Sequence, residues 1–549
     1  MSSISPQELQ VIRQCIGKVA KRHIVSALCI YGSRVAGYAR PDSDIDILAV
    51  LENYPYIVKY AYFTEEGTKL SVLAVDKKAL ERDARTGFLG EFVVGRLLHI
   101  YEPIVNAEFL AAIERVYKRR VILEEVQDIV SSAGVLSTEI SFPLEFVAFS
   151  KIKRRMSLYP SAAYSYQKTY SNKDNPVNNK RNLEFALDGY QKALSDIIDE
   201  DNGLFLPRMD GLLQISDKRV LVEETRTRLK LTRRLQEFSS YFVHTYAGRK
   251  IMHLAIAEAE SKIRRRTKAV NLPRFMACPR GAYWQLPEGK LVVDSRDWLG
   301  DLGFSVVGKR RLGNFQSRTV LHELQDGRKI VVKELARTKA AKWAALSIWT
   351  SPVKRRFRVN PLLRLGFEYK ALRHIRSLGI HTPMIVAIVL DRKLLVTQFI
   401  EGMTLAEVVK AYLRGKGEEK HSLLLYQAGE QIGKIHSSGG AFGNVKPKNI
   451  IASRDSGDLY FTDVEQFVFQ DGDPAWDIAQ FVSWSLKGNP DVEKAAEVTR
   501  EFLHGYVSAT GTVNIVRLYK NRRYIESFYP VLTPNVARAI KKEIKEIAN

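Results

Sequence analysis

Asp44 and Asp46, in Ser43-Asp44-Ile45-Asp46, are the first residues of this 549-residue chain whose types and spacing could do chemistry. On a strand, residues i and i+2 point to the same face. Two carboxylates on one face can bridge Mg2+ to a nucleoside triphosphate. Just upstream, Gly32 lets the backbone approach a phosphate and Ser33 offers a hydroxyl. A second constellation lies far downstream. A glycine loop, Leu312-Gly313-Asn314-Phe315-Gln316-Ser317, precedes Lys333 on the alternating stretch Ile330-Val331-Val332-Lys333. A lysine there can meet the α- and β-phosphates of ATP, and Glu368 on the next helix can hold it. Gln398 and Ile400 end an apolar strand in the manner of an adenine-binding hinge.

The order Gly32-Ser33, Gly37, then Asp44-Ile45-Asp46 resembles the minimal nucleotidyltransferases of the polymerase-beta superfamily, over roughly the first hundred residues. The resemblance implies an α/β fold, Asp44 and Asp46 as metal ligands, and Gly32-Ser33 as the phosphate turn. It also implies a third carboxylate on the next strand. In Lys69-Leu70-Ser71-Val72-Leu73 that place is held by Ser71, and Asp76 lies at the strand end. Without the third carboxylate, two-metal transfer loses the group that positions the attacking hydroxyl. Two readings stand: nucleotidyl transfer, or a retained fold that binds nucleotide or RNA without chemistry. The second is favoured.

Phe442-Gly443-Asn444-Val445-Lys446-Pro447-Lys448-Asn449 matches a kinase catalytic loop in spacing, and Asp463 and Asp477 follow in order. With Gly313, Ser317, Lys333, Glu368, Gln398 and Ile400, the series resembles the atypical small kinases: the RIO group, the KEOPS-associated kinase, and the sugar and aminoglycoside phosphotransferases. The resemblance implies a bilobal fold with ATP and Mg2+ as cofactors. Asn449 and Asp463 would be the metal ligands, Lys446 would neutralise the transferring phosphoryl group, and Asp477 would brace the loop. Asn444 stands where the usual catalytic aspartate belongs, and Phe442 replaces the preceding histidine. Asparagine can orient a hydroxyl but not take its proton. General-base help is worth roughly 10²–10⁴-fold, whereas phosphoryl transfer relies mainly on positioning and electrostatics. A relatively acidic acceptor, such as a ribose 2′-OH, needs less of that help.

Lys and Arg number 84 against 61 Asp and Glu, a formal charge of +23. Such an excess favours polyanionic partners. It is concentrated at Lys339, Lys342, Lys354, Arg355, Arg356, Arg358 and Arg364, interleaved with Trp343 and Trp349. A second concentration is Arg264, Arg265 and Arg266, echoed by Arg226, Arg228, Lys230, Arg233 and Arg234. Arg154, Arg155 and Lys168 mingle with four tyrosines over 159–170. Cations with aromatics suit RNA phosphates and stacked bases. The expected partner is RNA, with tRNA the favoured class. The 45% hydrophobic and 26% charged content excludes collagen-like, largely disordered and disulfide-scaffold chains. Cys15, Cys29 and Cys278 form no CxxC pair, which argues against zinc or a disulfide framework and for a reducing cytoplasm. Residues 1–10 lack an apolar signal core, and no apolar run reaches the ~18 residues of a membrane span.

The elements that must position these residues give a multidomain chain of α/β and α parts. An α/β nucleotidyltransferase-like domain spans 1–105, with strands at 26–31, 45–51 and 70–75. A basic helical region spans 106–280, with helices at 109–129 and 183–199, a polar loop at 172–179 and an Arg/Lys-rich pair at 221–268. A linker follows at 281–303. The kinase N-lobe covers 304–402, with a hairpin around Asp326-Gly327, and the C-lobe and last helices cover 403–549. The expected function is ATP-dependent transfer of the γ-phosphate to an RNA hydroxyl, by analogy with an archaeal class that phosphorylates a tRNA ribose 2′-OH. Three alternatives stay open. They are a RIO-like Ser/Thr protein kinase in ribosome assembly, a non-catalytic RNA-binding scaffold, and a nucleotidyltransferase regulated by its kinase-like half.

Overall fold

The computed structural model describes residues 4–158, 162–193, 198–201, 204–207, 285–292, 297–312, 318–335, 357–416 and 419–549. The chain forms two compact units, Met1–Ser131 with Ile140–Gln285, and Ser132–Glu139 with Leu286–Asn549. Among the described residues, no helix is long and apolar enough to cross a membrane.

In the N-terminal unit, β1 (Val25–Tyr31), β2 (Ile45–Leu51), β3 (Val58–Glu65), β4 (Thr68–Asp76) and β5 (Glu102–Val105) form a five-stranded sheet in the order β3-β4-β2-β1-β5. The β2–β4 pair is parallel and the others are antiparallel. Central strands β1, β2 and β4 are buried almost continuously, as expected of strands covered on both faces. The Pro6–Ala20 helix starts at Ser5, whose hydroxyl and Glu8 form a capping box. It buries Val11, Ile12, Cys15 and Ile16 among Leu28, Ile30, Ile47 and Val72. Strand β3 has no counterpart in the sequence reading. It is the sheet edge, and its Lys59-Tyr60-Ala61-Tyr62 stretch is largely half-buried or exposed, so it carries no buried-strand signature.

Asp76 lies at the end of β4 and is a helix cap. Its carboxylate accepts from the N–H groups of Ala79 and Tyr54, each at 3.1 Å, at the start of the Lys77–Thr86 helix. Within that helix the buried Asp83 accepts from the N–H groups of Leu89 (2.8 Å), Val94 (3.1 Å) and Glu91 (3.2 Å). Burial outweighs these donors and pushes its carboxyl up to about 6. Between about pH 4 and 6 the folded domain therefore holds a proton that the unfolded chain, near its ordinary ~3.9, has lost. Stability falls as pH rises through that window. Asp83→Asn is expected to remove this slope, read as the difference between thermal unfolding at pH 4 and pH 7.

The helical part begins with Ala107–Ala133 and continues through Leu144–Leu158, Ala162–Tyr170 and Pro176–Gln191. The loop expected at 172–179 ends early. Asn175 caps a helix with Pro176 in its first turn, and proline is pre-organised for that position. That helix stops at Gln191, and the end of the helix expected at 183–199 is instead strand β7 (Ile198–Asp201), paired with β8 (Leu204–Pro207), which also pairs with the short β6 (Phe142–Pro143). Arg154 and Arg155, expected on an RNA-facing surface, serve internal charge balance. Arg155 is buried and donates to the Tyr166 hydroxyl and the Glu91 carbonyl, each at 3.1 Å. Arg154 pairs with Glu125 and with Asp128 (3.1 Å). The Arg/Lys-rich pair expected at 221–268 lies outside the described residues.

In the C-terminal unit a six-stranded sheet runs β10-β11-β12-β14-β13-β9. Its strands are β9 (Lys290–Val292), β10 (Val306–Leu312), β11 (Thr319–Leu324), β12 (Lys329–Glu334), β13 (Ile385–Val389) and β14 (Leu394–Gln398). The stretch expected as a linker thus supplies an edge strand, β9, parallel to β13, and the short helix Trp298–Asp301. Val292 and Trp298 are buried with Leu324, Ile330 and Val396, and that apolar burial is what binds the stretch to the sheet. Helix Pro361–Ser377 is capped by Asn360. A smaller sheet, β15 (Gly402–Thr404), β16 (Ile450–Ser453) and β17 (Leu459–Phe461), lies among helices that include Glu419–Ser437, Pro474–Ser485, Val492–Thr510 and Pro534–Ala548.

Candidate active sites

In the N-terminal unit, sheet register sets one row across four strands. Tyr31 lies opposite Asp46, Asp46 opposite Ser71, and Ser71 opposite Tyr62. Residues directly opposite on neighbouring strands share a face. Ser71 therefore occupies the place beside Asp46 where a third carboxylate was looked for. Asp44 precedes β2 and is exposed. Gly32 has φ 80°, and a Cβ there would stand 2.3 Å from Asp46 Oδ2, so both the backbone and the space demand glycine. The turn helix Ser33–Ala36 is gripped by helix Pro176–Gln191. Asn182 donates to the Ala36 carbonyl (3.0 Å), Asn178 to Gly37 (3.2 Å) and Arg181 to Val35 (2.5 Å). Burial, with Tyr60, Asp44 and Asp46 nearby, pushes the Tyr62 phenol up to about 12, against its hydrogen bond with Ser71. Gly32→Ala is expected to displace Asp46 and weaken Mg2+-dependent nucleotide binding to this unit at least about tenfold, measured by titration calorimetry.

In the C-terminal unit, β12 carries Lys333 and the Pro361–Ser377 helix carries Glu368. The Lys333 ammonium donates to both Glu368 oxygens, at 2.7 and 2.8 Å, and to Asp463. Burial opposes its charge, but Asp463, Glu368 and Glu465 overcome that and hold the lysine well above its ordinary range. Burial pushes Glu368 up to about 7, against the pull of Lys333 and with the push of Asp463 and Glu465. Asn449 Nδ2 lies 3.4 Å from Asp463 Oδ2, and the Asn449 carbonyl accepts from both the N–H and the hydroxyl of Thr462 at 2.8 Å. Asp463 has φ 56°, a left-handed backbone that costs an aspartate on the order of 1–3 kcal/mol. Among the described residues, one trio of acidic or imidazole or thiol groups is close enough to hold a metal ion: Glu368, Asp463 and Glu465.

The loop bearing Asn444 is held from below. Asp477, fully buried in helix Pro474–Ser485, accepts from the N–H groups of Phe442 (2.6 Å) and Gly443 (2.8 Å) and meets His436 Nε2 at 3.2 Å. Phe442 stacks on Phe461 with centroids 5.3 Å apart. Asn444, Lys446 and Asn449 are all buried. Gln398 is exposed at the end of β14 and Ile400 is buried just beyond it.

Two residues of this site carry roles the sequence reading did not assign. Glu465 and Arg364, 1 % and 0 % exposed at their side chains, form an ion pair at 2.8 Å. Arg364 is thus not part of an RNA-facing stretch. The sequence signal was available, since Arg364 and Glu368 are four apart and share a helix face. Arg358 is likewise engaged inside the unit, with its guanidinium on the Phe467 carbonyl (2.9 Å) and 3.5 Å from the Phe367 ring centroid. Gly313 and Ser317 lie outside the described residues. So do Lys339, Lys342, Lys354, Arg355 and Arg356 with their two tryptophans, and Arg264, Arg265 and Arg266 with the basic residues upstream of them.

Residues 12–129 match the family model described as a nucleotidyltransferase domain. The match runs from the first helix through the Asp44–Asp46 strand and into helix Ala107–Ala133. The N-terminal part of this chain is thus similar to nucleotidyltransferase domains. Comparison with curated proteins found no match.

Proposed function

We propose that the C-terminal unit is a kinase-like, ATP-dependent phosphotransferase that moves the γ-phosphate to an RNA hydroxyl, with a tRNA ribose 2′-OH as acceptor. The reading is carried by one observation: Lys333, Glu368, Asn449 and Asp463, drawn from three separated stretches, converge within hydrogen-bonding reach. Lys333 would meet the α- and β-phosphates, with Glu368 fixing its position. Asp463 and Asn449 offer oxygen ligands that fit Mg2+ and would hold it, and the ion would supply positive charge against the phosphates. Lys446 would offset charge on the transferring group. Asn444 would orient the acceptor hydroxyl. The bond from the γ-phosphorus to the β–γ bridging oxygen breaks as the acceptor oxygen bonds to phosphorus. The acceptor proton leaves to water or to a phosphoryl oxygen, because an asparagine cannot take it. The net charge of +23 favours a polynucleotide acceptor over a protein one.

The family match favours a second reading for the N-terminal domain, nucleotidyl transfer at Asp44 and Asp46. Ser71 in the third position argues there for nucleotide binding without transfer. Labelled ATP separates the cases. We expect label to pass from the γ-position, not the α-position, to total tRNA. Transfer to a generic protein would instead identify a protein kinase, α-label on RNA a nucleotidyltransferase, and retained ATP binding with no transfer a scaffold.

A further inference from the structure

We infer that the short segment Gly134–Glu139 is a positioning element of the phosphotransfer site: it backs the helix that carries Glu368 and holds that carboxylate against Lys333. Its effect on transfer rests on the phosphotransferase reading; its effect on the Lys333–Glu368 pair does not. The segment continues directly from helix Ala107–Ala133, yet Ser132–Glu139 belong to the C-terminal unit, whose remaining residues begin only at Leu286. A piece of chain so far upstream joins that unit because it packs on helix Pro361–Ser377. Leu136 is fully buried. A glycine inside a helix is a poor choice for local stability. Gly366 is explained by the close approach of the segment: a Cβ there would stand 3.0 Å from the Leu136 nitrogen and 3.3 Å from the Val135 Cβ. Farther along the helix, Glu139 pairs with Arg373 and, at 3.6 Å, with Lys370.

At 3.6 residues per turn, Gly366, Lys370 and Arg373 share one side of the helix, and Glu368 lies about 200° around from Gly366, on the opposite side. There Glu368 accepts from Lys333 at 2.7 and 2.8 Å, and Arg364, one turn earlier, meets Glu465 at 2.8 Å. The helix is thus held between the segment and the site. Arg376 pairs with Glu288 at 2.6 Å, so the last turn has its own anchor and the segment governs the middle turns, where Glu368 sits. Backing matters here because three carboxylates compete for one ammonium. Were the helix to retreat, Lys333 would stay paired with Asp463 and Glu465 rather than meet the nucleotide phosphates.

The test uses the full chain with Asp46→Ala in the parent and in every variant, which disables the Asp44–Asp46 pair so that nucleotide is read at one site. Glu139→Lys puts a charge that repels Arg373 and Lys370 where the anchor was. It is expected to weaken Mg-ATP binding several-fold, measured by titration calorimetry, and to lower γ-transfer to tRNA at saturating nucleotide about tenfold. Glu139→Lys with Arg373→Glu restores an opposite-charge pair and is expected to regain most of both. The comparison is then repeated in Glu368→Gln. A segment that acts through Glu368 has no carboxylate left to position there, so adding Glu139→Lys should change Mg-ATP affinity by less than about twofold. A role confined to general stability gives the same loss in both backgrounds, and that result overturns the inference. So does parental affinity in Glu139→Lys, or a charge exchange that regains nothing. Coupling in binding with no γ-transfer by the parent would overturn the phosphotransferase reading and leave the positioning role standing. γ-Transfer by the parent that Glu139→Lys leaves unaltered, with no coupling in binding, would do the reverse.

Discussion

Lys333→Ala and Asp463→Ala are each expected to abolish γ-phosphoryl transfer, while Asp44→Ala leaves it at the wild-type rate. The reason lies in what each group does in a reaction with little covalent chemistry for the protein to perform. Phosphoryl transfer is accelerated by holding the phosphates in line and by neutralising the charge that moves. Among the described residues, Lys333 is the one ammonium in contact with Glu368, Asp463 and Glu465 together, at 2.7 Å from the first and 3.7 Å from the last. Its loss leaves three carboxylates facing an incoming polyphosphate. That both repels the nucleotide and misplaces it. Asp463 supplies the most accessible carboxylate of the metal-capable trio, its side chain 33 % exposed against 3 % for Glu368 and 1 % for Glu465. Removing one preorganised electrostatic contact commonly costs on the order of 10²–10³-fold in rate. Asp44 lies in the other unit, and on the proposed reading it takes no part in this step. Initial rates with γ-labelled ATP and total tRNA measure all three. Loss of transfer in Asp44→Ala with Lys333→Ala active would reverse the assignment of the two sites.

The second large effect concerns stability. Arg364→Ala is expected to destabilise the C-terminal unit by about 3–5 kcal/mol, because it strands a buried carboxylate. Glu465 would then share Lys333 with Glu368 and Asp463, without a cation of its own. The paired replacement Arg364→Met with Glu465→Leu removes both charges and is expected to recover most of that loss, since apolar residues of similar volume are often as stable as a buried ion pair. The recovered stability should come without recovered activity. The ion pair joins the helix that positions Glu368 to the segment that follows Asp463, and an apolar pair holds that register less tightly. Denaturant unfolding of the two single variants and the double variant gives the coupling between them. γ-Transfer by the double variant, at full nucleotide saturation, reports the register. A double variant as unstable as Arg364→Ala would show that the site cannot repack around apolar side chains.

Sheet registers and caps explain where the linear chain was readable and where it was not. Strands β1, β2 and β4 were legible because near-continuous apolar runs bounded by turns leave few alternatives. The edge strand β3 was not, since Lys59 and Tyr62 are exposed and Tyr60 is only half-buried. The 281–303 stretch looked like a connector because it is rich in glycine and turn residues. Its three-residue strand β9 exists only because β13 offers a partner and Val292 finds apolar neighbours. Asp76 could have been a ligand or a cap; the helix that begins beside it made it a cap.

The chemistry-bearing residues follow the same division. Asp44 with Asp46, and Lys333 through Glu368 to Asn449 and Asp463, could be picked out along the chain. Their residue types and short-range periodicity are local properties, set by strand alternation, helix spacing and turn preference. Charge was a poorer guide. Arg154, Arg155, Arg358 and Arg364 read as a polyanion surface, yet each is spent on a carboxylate, a carbonyl or a ring within its own unit. The place of Ser71 beside Asp46, the Arg364–Glu465 pair and the Trp484 ring over Lys446 all join segments far apart in sequence. Whether a cation faces water or a buried acid depends on which distant segment packs against it. Packing of that kind is a long-range outcome of burying apolar surface, and no window of neighbouring residues contains it.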